Sequence, residues 1–134
     1  MVRVKVPATS ANLGPGCDTL GLALNLYLEV TADFAADGAS FAFHGYGEEV
    51  IRNEPGSNLI LKAMQKIFSL AKTTLPELRL TVKNNIPFGK GMGSSAAAIV
   101  AGMWAANYLL GHQFTSSELL HWAVEMEGHA RSEE

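Results

Sequence analysis

The sequence predicts an α+β domain in which an antiparallel-rich sheet is covered by helices. Three segments alternate apolar and polar residues with a period of two, which is typical of half-buried strands, and a fourth strand is expected after an Asp-Gly turn. Helices are indicated by apolar residues at helical spacing, by a long alanine-rich apolar run and by a capping box. The 134 residues are enough for one domain with its own core. We therefore expect the order β-β-β-α-β-α-α.

The first two strands are predicted from alternation. Residues 2–6 (VRVKV) alternate and are rich in valine, which favours a strand that Pro7 ends. Residues 8–18 then form a turn-rich loop. Residues 20–34 alternate again, with leucines on one face, which predicts a long strand with a bend near Asn25.

The next elements are a hairpin and a helix. The Asp-Gly pair at 37–38 is a hairpin signal, so residues 40–45 are predicted to be the returning strand. Ser57 or Asn58 can cap a helix. An apolar stripe at helical spacing then runs from Leu59 to about residue 72.

One strand and two helices complete the prediction. Residues 77–84 alternate as a strand, and a helix is expected from about Ser94 to Leu110, before a glycine. Thr115 and Glu118 have the spacing of a capping box, so the last helix is expected to run to about Glu127.

Composition limits the classes of function. The net charge of −3 and the lack of a basic patch exclude nucleic acid as an expected partner. The lone cysteine, Cys17, favours a reducing cytoplasm. The N-terminus has no apolar signal segment. The longest apolar stretch, Ala96 to Leu110, contains Asn107 and is shorter than the roughly 20 residues that span a bilayer, so no membrane association is expected.

A glycine-rich stretch, IPFGKGMGSSAAA at 86–98, lies between a predicted strand and a predicted helix. Glycines let backbone N–H groups approach a ligand, and a helix N-terminus adds free donors and a positive dipole end. Together these features favour a phosphate site. The spacing fits neither a P-loop nor the dinucleotide fingerprint. The alternative is a tight turn whose small residues only pack closely.

A second unusual stretch is PATSANLGPGCD at 7–18. Thr9, Ser10, Asn12 and Asp18 crowd polar side chains into one connection. Turn formation explains these residue types equally well. A polar pocket for a small substrate and ordinary turn chemistry therefore both remain open. Cys17 is interpreted as a small apolar loop residue.

Glu127 is the candidate metal ligand of the last helix. A helical wheel gives an apolar face made of Leu119, Leu120, Ala123 and Met126. Glu127 falls within that face, whereas Glu125 points away and is the second choice. A carboxylate on a buried stripe is costly unless it is paired or binds a cation, and Mg²⁺ accepts carboxylates. The alternative is that Glu127 reaches solvent from a frayed helix end. The histidines are too widely spaced to favour zinc.

Two motifs resemble a known family. PATSANLGPGCDTLGLAL (7–24) and IPFGKGMGSSAAA (86–98) are similar to the first and second motifs of the GHMP small-molecule kinases. Within that superfamily they most resemble homoserine kinases, and EGH at 127–129 is similar to the start of a further segment. The resemblance implies a domain like domain 2 of ribosomal protein S5. It also implies Mg²⁺- and ATP-dependent phosphorylation of the L-homoserine hydroxyl in threonine biosynthesis.

The resemblance also implies roles for residues. Asn12, Asp18 and His129 match substrate-binding positions, with Asp18 as a partner for an ammonium or hydroxyl group rather than a general base. Ser95 matches a Mg²⁺ contact, and Asp18, Asn12 and Ser95 would be nearest the chemistry. The residues matched to ATP are Asn58, Pro87, Gly89, Lys90, Gly91, Met92, Gly93, Ser94, Ser95, Ala96 and Ala97.

The sequence departs from the family pattern after His129, where ARSEE replaces the family's Pro-Asp-Asn. We therefore expect residues 1–134 to form an N-terminal ATP-binding domain, truncated near residues 127–129, without the C-terminal domain and inactive alone. Exposed apolar surface would favour self-association, for example as a homodimer. The alternatives are another GHMP kinase, acting on mevalonate, a sugar or an isoprenoid precursor, and a non-catalytic phosphate-binding or interaction module.

Overall fold

The computed structural model describes residues 1–10, 22–49, 58–87 and 94–132. Within these ranges the predicted order of elements and the α+β class are confirmed. The elements are β1 (Val2–Ser10), β2 (Leu22–Phe34), β3 (Ser40–Gly45), α1 (Leu59–Leu70), β4 (Leu78–Asn84), α2 (Ser94–Leu109) and α3 (Ser116–Ser132).

The sheet has the strand order β1-β2-β4-β3. The β1–β2 and β2–β4 pairs are antiparallel, and β3 runs parallel to β4. The predicted hairpin of β2 with β3 is therefore wrong. The chain does reverse at Gly38, whose φ is 113°, but β4 lies between the two strands. The physical reason is burial: β4 buries alternate residues, whereas β3 is exposed along nearly its whole length, and an exposed strand suits an edge.

The sequence predicts that the first strand ends at Pro7, but β1 continues to Ser10. Proline lacks an N–H group and is tolerated because β1 is an edge strand. The pairing with β2 shifts register between Pro7 and Thr9, which pair with Tyr27 and Ala23. The irregularity lies opposite Asn25, where the sequence predicts a bend.

Helix α2 is central to the helical layer, in contact with β1, β2, α1 and α3. It approaches α1 closely at Gly102, where an added Cβ would lie 2.5 Å from the Ile60 carbonyl oxygen and 2.9 Å from Cβ of Ala63. The largest fully buried side chains among the described residues are Met64, Ile67, Ile86, Ile99, Met103, Leu119, Val30 and Val82. This core holds β4 and the start of α2 in a defined relation.

The other face of the sheet is polar. Nε of Arg3 lies 3.5 Å from Oε1 of Glu29, and the Lys5 ammonium lies 4.3 Å from the centroid of the Tyr27 ring. Within the described ranges, no helix combines the length and apolar composition needed to cross a bilayer. Helix α3 continues to Ser132 rather than ending near residue 127 as predicted, because Gly128 is followed by residues compatible with a helix.

Candidate functional site

The glycine-rich stretch (86–98) begins just after β4, which ends at Asn84, and its residues 94–98 belong to the first turns of α2. The structure describes the connection up to Pro87 and again from Ser94, so the strand before it and the helix after it are both as predicted. The predicted residues Gly89, Lys90, Gly91, Met92 and Gly93 lie outside the described residues.

The start of α2 is built from small residues. Ala97 is buried, whereas Ser95 and Ala96 are half-buried, and the side chain of Ser94 is outside the description. The first turn of α2 contains no acidic residue. Because the first amides of a helix lack intrahelical acceptors, this turn suits an anion.

Asn58 caps α1, as one of the two sequence alternatives predicts. Its Oδ1 accepts a hydrogen bond from the Leu61 N–H at 3.1 Å, and its carbonyl accepts from the Lys62 N–H at 3.1 Å. The residue is 5% exposed. Its position beside a nucleotide base stays a prediction. Since Oδ1 serves the helix, the amide Nδ2 is the group that could donate to a base.

The capping box of α3 is confirmed. Oγ1 of Thr115 accepts from the Glu118 N–H at 3.2 Å, and Oε1 of Glu118 accepts from the Thr115 N–H at 3.0 Å. These reciprocal bonds satisfy donors at the N-terminus of α3. An anion there would have to compete with the Glu118 carboxylate.

Glu127 lies inside α3, more than a turn before its end at Ser132, so the alternative of a frayed end does not hold. Ala123 and Leu119, four and eight residues earlier, are buried. Glu127 is half-buried, and its Oε2 is inaccessible to solvent. The predicted apolar face is wrong at one position, since Leu120 is 54% exposed. Leu120 points outward because the residues of α3 that face inward, Leu119, Ala123 and Glu127, are spaced four apart, and Leu120 is not in that series.

Glu125 lies on the exposed side of α3, where its Oε2 is 3.7 Å from Nε2 of His121. This geometry favours Glu127 over Glu125 as a candidate ligand. His112 instead packs edge-on against Tyr108, with ring centroids 5.2 Å apart. The described residues contain no group of three or more histidine, cysteine, aspartate or glutamate side chains that could hold a metal ion.

The candidate substrate residues lie outside what the structure describes. Asn12 and Asp18 fall in the undescribed stretch after β1, and the backbone of His129 belongs to α3 but its side chain is not described. Their predicted roles remain predictions. Pro87 is half-buried at the end of the described connection.

Sequence reasoning missed one polar residue beside the site. Asn84 is the last residue of β4 and is 5% exposed. Its Oδ1 accepts from the Ile86 N–H at 3.0 Å, and its Nδ2 donates to the Tyr46 carbonyl at 3.0 Å. The available signal was the alternation itself: Leu78, Leu80 and Val82 face inward, so position 84 continues a buried face with a polar residue.

The chain matches the family described as GHMP kinases N terminal domain over residues 58–133. This match covers more than half of the chain, so the chain belongs to that family. Among curated proteins it is similar to homoserine kinases. It is 49% identical over 130 residues to the enzyme of Caldanaerobacter subterraneus, covering 97% of this chain and 41% of that protein. It is 46% identical to the enzyme of Carboxydothermus hydrogenoformans.

Solved structures agree with this relationship. A structure assigned as homoserine kinase from Listeria monocytogenes is 38% identical, with a TM-score of 0.68, over 94% of this chain and 43% of that one. A mevalonate kinase from Methanococcus jannaschii has a TM-score of 0.75 at 12% identity, over 98% of this chain and 47% of that one, which shows a shared fold alone. The chain thus spans less than half the length of the relatives it matches.

Proposed function

We propose that this chain is the N-terminal, ATP-binding part, residues 1–134, of a kinase that phosphorylates the side-chain hydroxyl of L-homoserine. The product would be O-phospho-L-homoserine, and the reaction would belong to threonine biosynthesis. The observation that carries this proposal is the 49% identity to a homoserine kinase over 97% of the chain. The protein would work in the cytoplasm, where Cys17 stays reduced.

The start of α2 would bind the phosphates of ATP. Backbone amides at the helix start offer donors, and the absence of an acidic side chain in the first turn avoids repulsion. The glycines before the helix would let the backbone approach the phosphate oxygens. Phosphoryl transfer depends mainly on alignment and charge neutralisation, which is what such a cradle supplies.

Mg²⁺ would be held by Ser95 and Glu127 together with phosphate oxygens. A hydroxyl and a carboxylate are oxygen donors of the kind that Mg²⁺ prefers, and the ion commonly takes one or two carboxylates plus phosphates. The position of Glu127 on the inward side of α3, four residues after the buried Ala123, supports this assignment. When bound, the ion would neutralise charge on the transferred phosphoryl group.

The substrate side would be formed by Asn12, Asp18 and His129. The Asp18 carboxylate would pair with the ammonium or hydroxyl group of homoserine, and Asn12 would bind its amino-acid part. The exposed Leu120 and Val124 on α3 support self-association as a homodimer.

The nucleotide proposal is tested by titrating the chain with ATP in the presence of Mg²⁺. Saturable binding is expected. Gly91→Val should abolish it, because a β-branched side chain would stand where the backbone must approach phosphate. An unchanged ATP affinity in that variant would remove the glycine-rich stretch as the phosphate site.

The substrate proposal is tested with the full-length protein that contains this chain. A coupled ADP-release assay should show homoserine to be preferred over serine and mevalonate. The reverse order would remove homoserine and favour another GHMP kinase. Because the chain spans 41% of its relative's length, a second candidate is a non-catalytic phosphate-binding module, which would bind ATP–Mg²⁺ and transfer no phosphate.

A further inference from the structure

We infer that Asn84 is a positioning residue that sets the direction in which the chain enters the glycine-rich stretch. The inference rests on the proposed function, since it assigns to Asn84 the preorganisation of the phosphate site. It begins from the two hydrogen bonds of the Asn84 side chain, which join the backbone at Ile86 to that of Tyr46, the residue directly after β3.

The surroundings of Asn84 are fitted to it. The Asn84 carbonyl accepts a hydrogen bond from the Tyr46 N–H at 3.1 Å, so side chain and backbone both bind the same residue. Gly45 pairs with Asn84 in the sheet and has a φ of 103°. A Cβ on Gly45 would overlap the Asn84 carbonyl oxygen, so only glycine permits this approach.

The residue after Asn84 is also held. The Asn85 N–H donates to the Tyr27 carbonyl on β2 at 3.0 Å. The backbone from Asn84 to Ile86 is therefore tied to β2 on one side and to the end of β3 on the other. Ile86 is itself fully buried. The stretch that follows thus starts from a fixed point and direction.

An asparagine is tolerated at this buried position only because its side-chain hydrogen bonds are made. Burying an amide is unfavourable unless its hydrogen bonds are made, and an apolar residue would continue the inward pattern of β4 without that cost. The amide does what an apolar side chain cannot, because its acceptor holds the Ile86 N–H. Glycines lose much conformational entropy when ordered, so a fixed start lowers the cost of arranging them around phosphate.

The experiment compares Asn84→Ala with Asn107→Ala. Asn107 is a matched control, since it is also 5% exposed. Its Nδ2 donates to the Phe114 carbonyl at 3.0 Å, and its Oδ1 accepts from the Phe114 N–H at 2.9 Å. Both variants lose two hydrogen bonds of a buried amide, but only Asn84 lies beside the proposed phosphate site.

The readouts are the midpoint of thermal unfolding, hydrogen exchange of the Ile86 amide and the Kd for ATP. Exchange and Kd are measured at a temperature well below the lowest midpoint of the variants. We expect similar drops in midpoint for both variants. Asn84→Ala should exchange the Ile86 amide faster and weaken ATP binding about tenfold, the size expected for one lost positioning hydrogen bond. Asn107→Ala should change the Kd less than about twofold.

Asn84→Asp separates the two bonds. It keeps the acceptor for the Ile86 N–H but places an oxygen against the Tyr46 carbonyl, so it should lower the midpoint while the Ile86 amide stays protected from exchange. Equal ATP affinities in Asn84→Ala, Asn107→Ala and the unsubstituted chain would overturn the inference alone, as would an Ile86 amide that exchanges as fast in the Asp variant as in the Ala variant. If the unsubstituted chain bound no ATP, the proposed function would fall, and the inference with it.

Discussion

Helices α2 and α3 both begin with two serines, at 94–95 and at 116–117, yet their N-termini differ. In α3 the serines are flanked by Thr115 and Glu118, which bind each other's backbone N–H groups. The same positions around α2 are Gly93 and Ala96, which have no side-chain oxygen. In α3, the side chains of Thr115 and Glu118 accept hydrogen bonds from backbone N–H groups at the helix start. The sequence has no such pair at the start of α2.

The difference teaches how to separate a structural helix start from a candidate ligand site. Helix α1 resembles α3 in being capped by a side chain, since Oδ1 of Asn58 accepts from the Leu61 N–H. A capped start gains about 1 kcal/mol of stability from its own side chain. The start of α2 lacks the Thr–Glu pair of α3 in its sequence, and the acceptor that we propose for its first amides is phosphate.

The largest effect is expected when α2 receives the acidic residue that α3 has in its first turn, Glu118. Ala96→Glu would place a carboxylate in the first turn of α2, where repulsion of about 3 kcal/mol should weaken ATP binding roughly a hundredfold. Ala96→Gln is the control of equal size without the charge. Isothermal titration of both variants is the measurement, and equal weakening by Glu and Gln would mean that charge plays no part.

The serine pairs allow a position-matched test. Ser95→Ala should weaken Mg²⁺-dependent ATP binding about tenfold, because it removes the hydroxyl proposed to contact the ion. Ser117→Ala removes the corresponding hydroxyl of α3 and should leave the Kd unchanged. Titrations with ATP at high and low Mg²⁺ measure the effect. A loss that does not depend on Mg²⁺ would argue against Ser95 as a metal contact.

The cap of α1 can be separated from a nucleotide contact. Asn58→Asp preserves a good N-cap, so stability should change little, but it removes the Nδ2 donor. If that donor meets the base, the Kd for ATP should rise by about fivefold, a loss of about 1 kcal/mol. Asn58→Ala, which loses both functions, is the reference for thermal unfolding. Unchanged ATP binding in the Asp variant would leave Asn58 with its capping role only.

The smallest effect is expected at α3. Thr115→Ala should lower the free energy of unfolding by about 1 kcal/mol through loss of the cap. ATP affinity should stay the same, because this helix start is closed by Glu118. Chemical denaturation and an ATP titration on the same sample measure both quantities. A higher Kd for ATP in this variant would show that the starts of α2 and α3 are not independent.

Local elements were predictable because their signals are local. The cap at Asn58, the capping box at Thr115 and the inward face of β4 follow from neighbouring residue types, and the structure confirms them. Each of the two motifs that resemble GHMP kinases is likewise a contiguous run of residues. The inward position of Glu127 was also foreseen from helical spacing, although the same wheel wrongly placed Leu120 inside.

The sequence by itself determined which segments are strands or helices and where the glycine-rich stretch lies, because hydrogen bonds and apolar periodicity within a segment depend on residues close in the chain. Only the tertiary structure decided that β4 inserts beside β2 and leaves β3 at the edge. It also decided that Asn84 meets Tyr46, which lies 38 residues away. Such pairings depend on which surfaces compete for burial across the whole domain, and no local pattern records that competition.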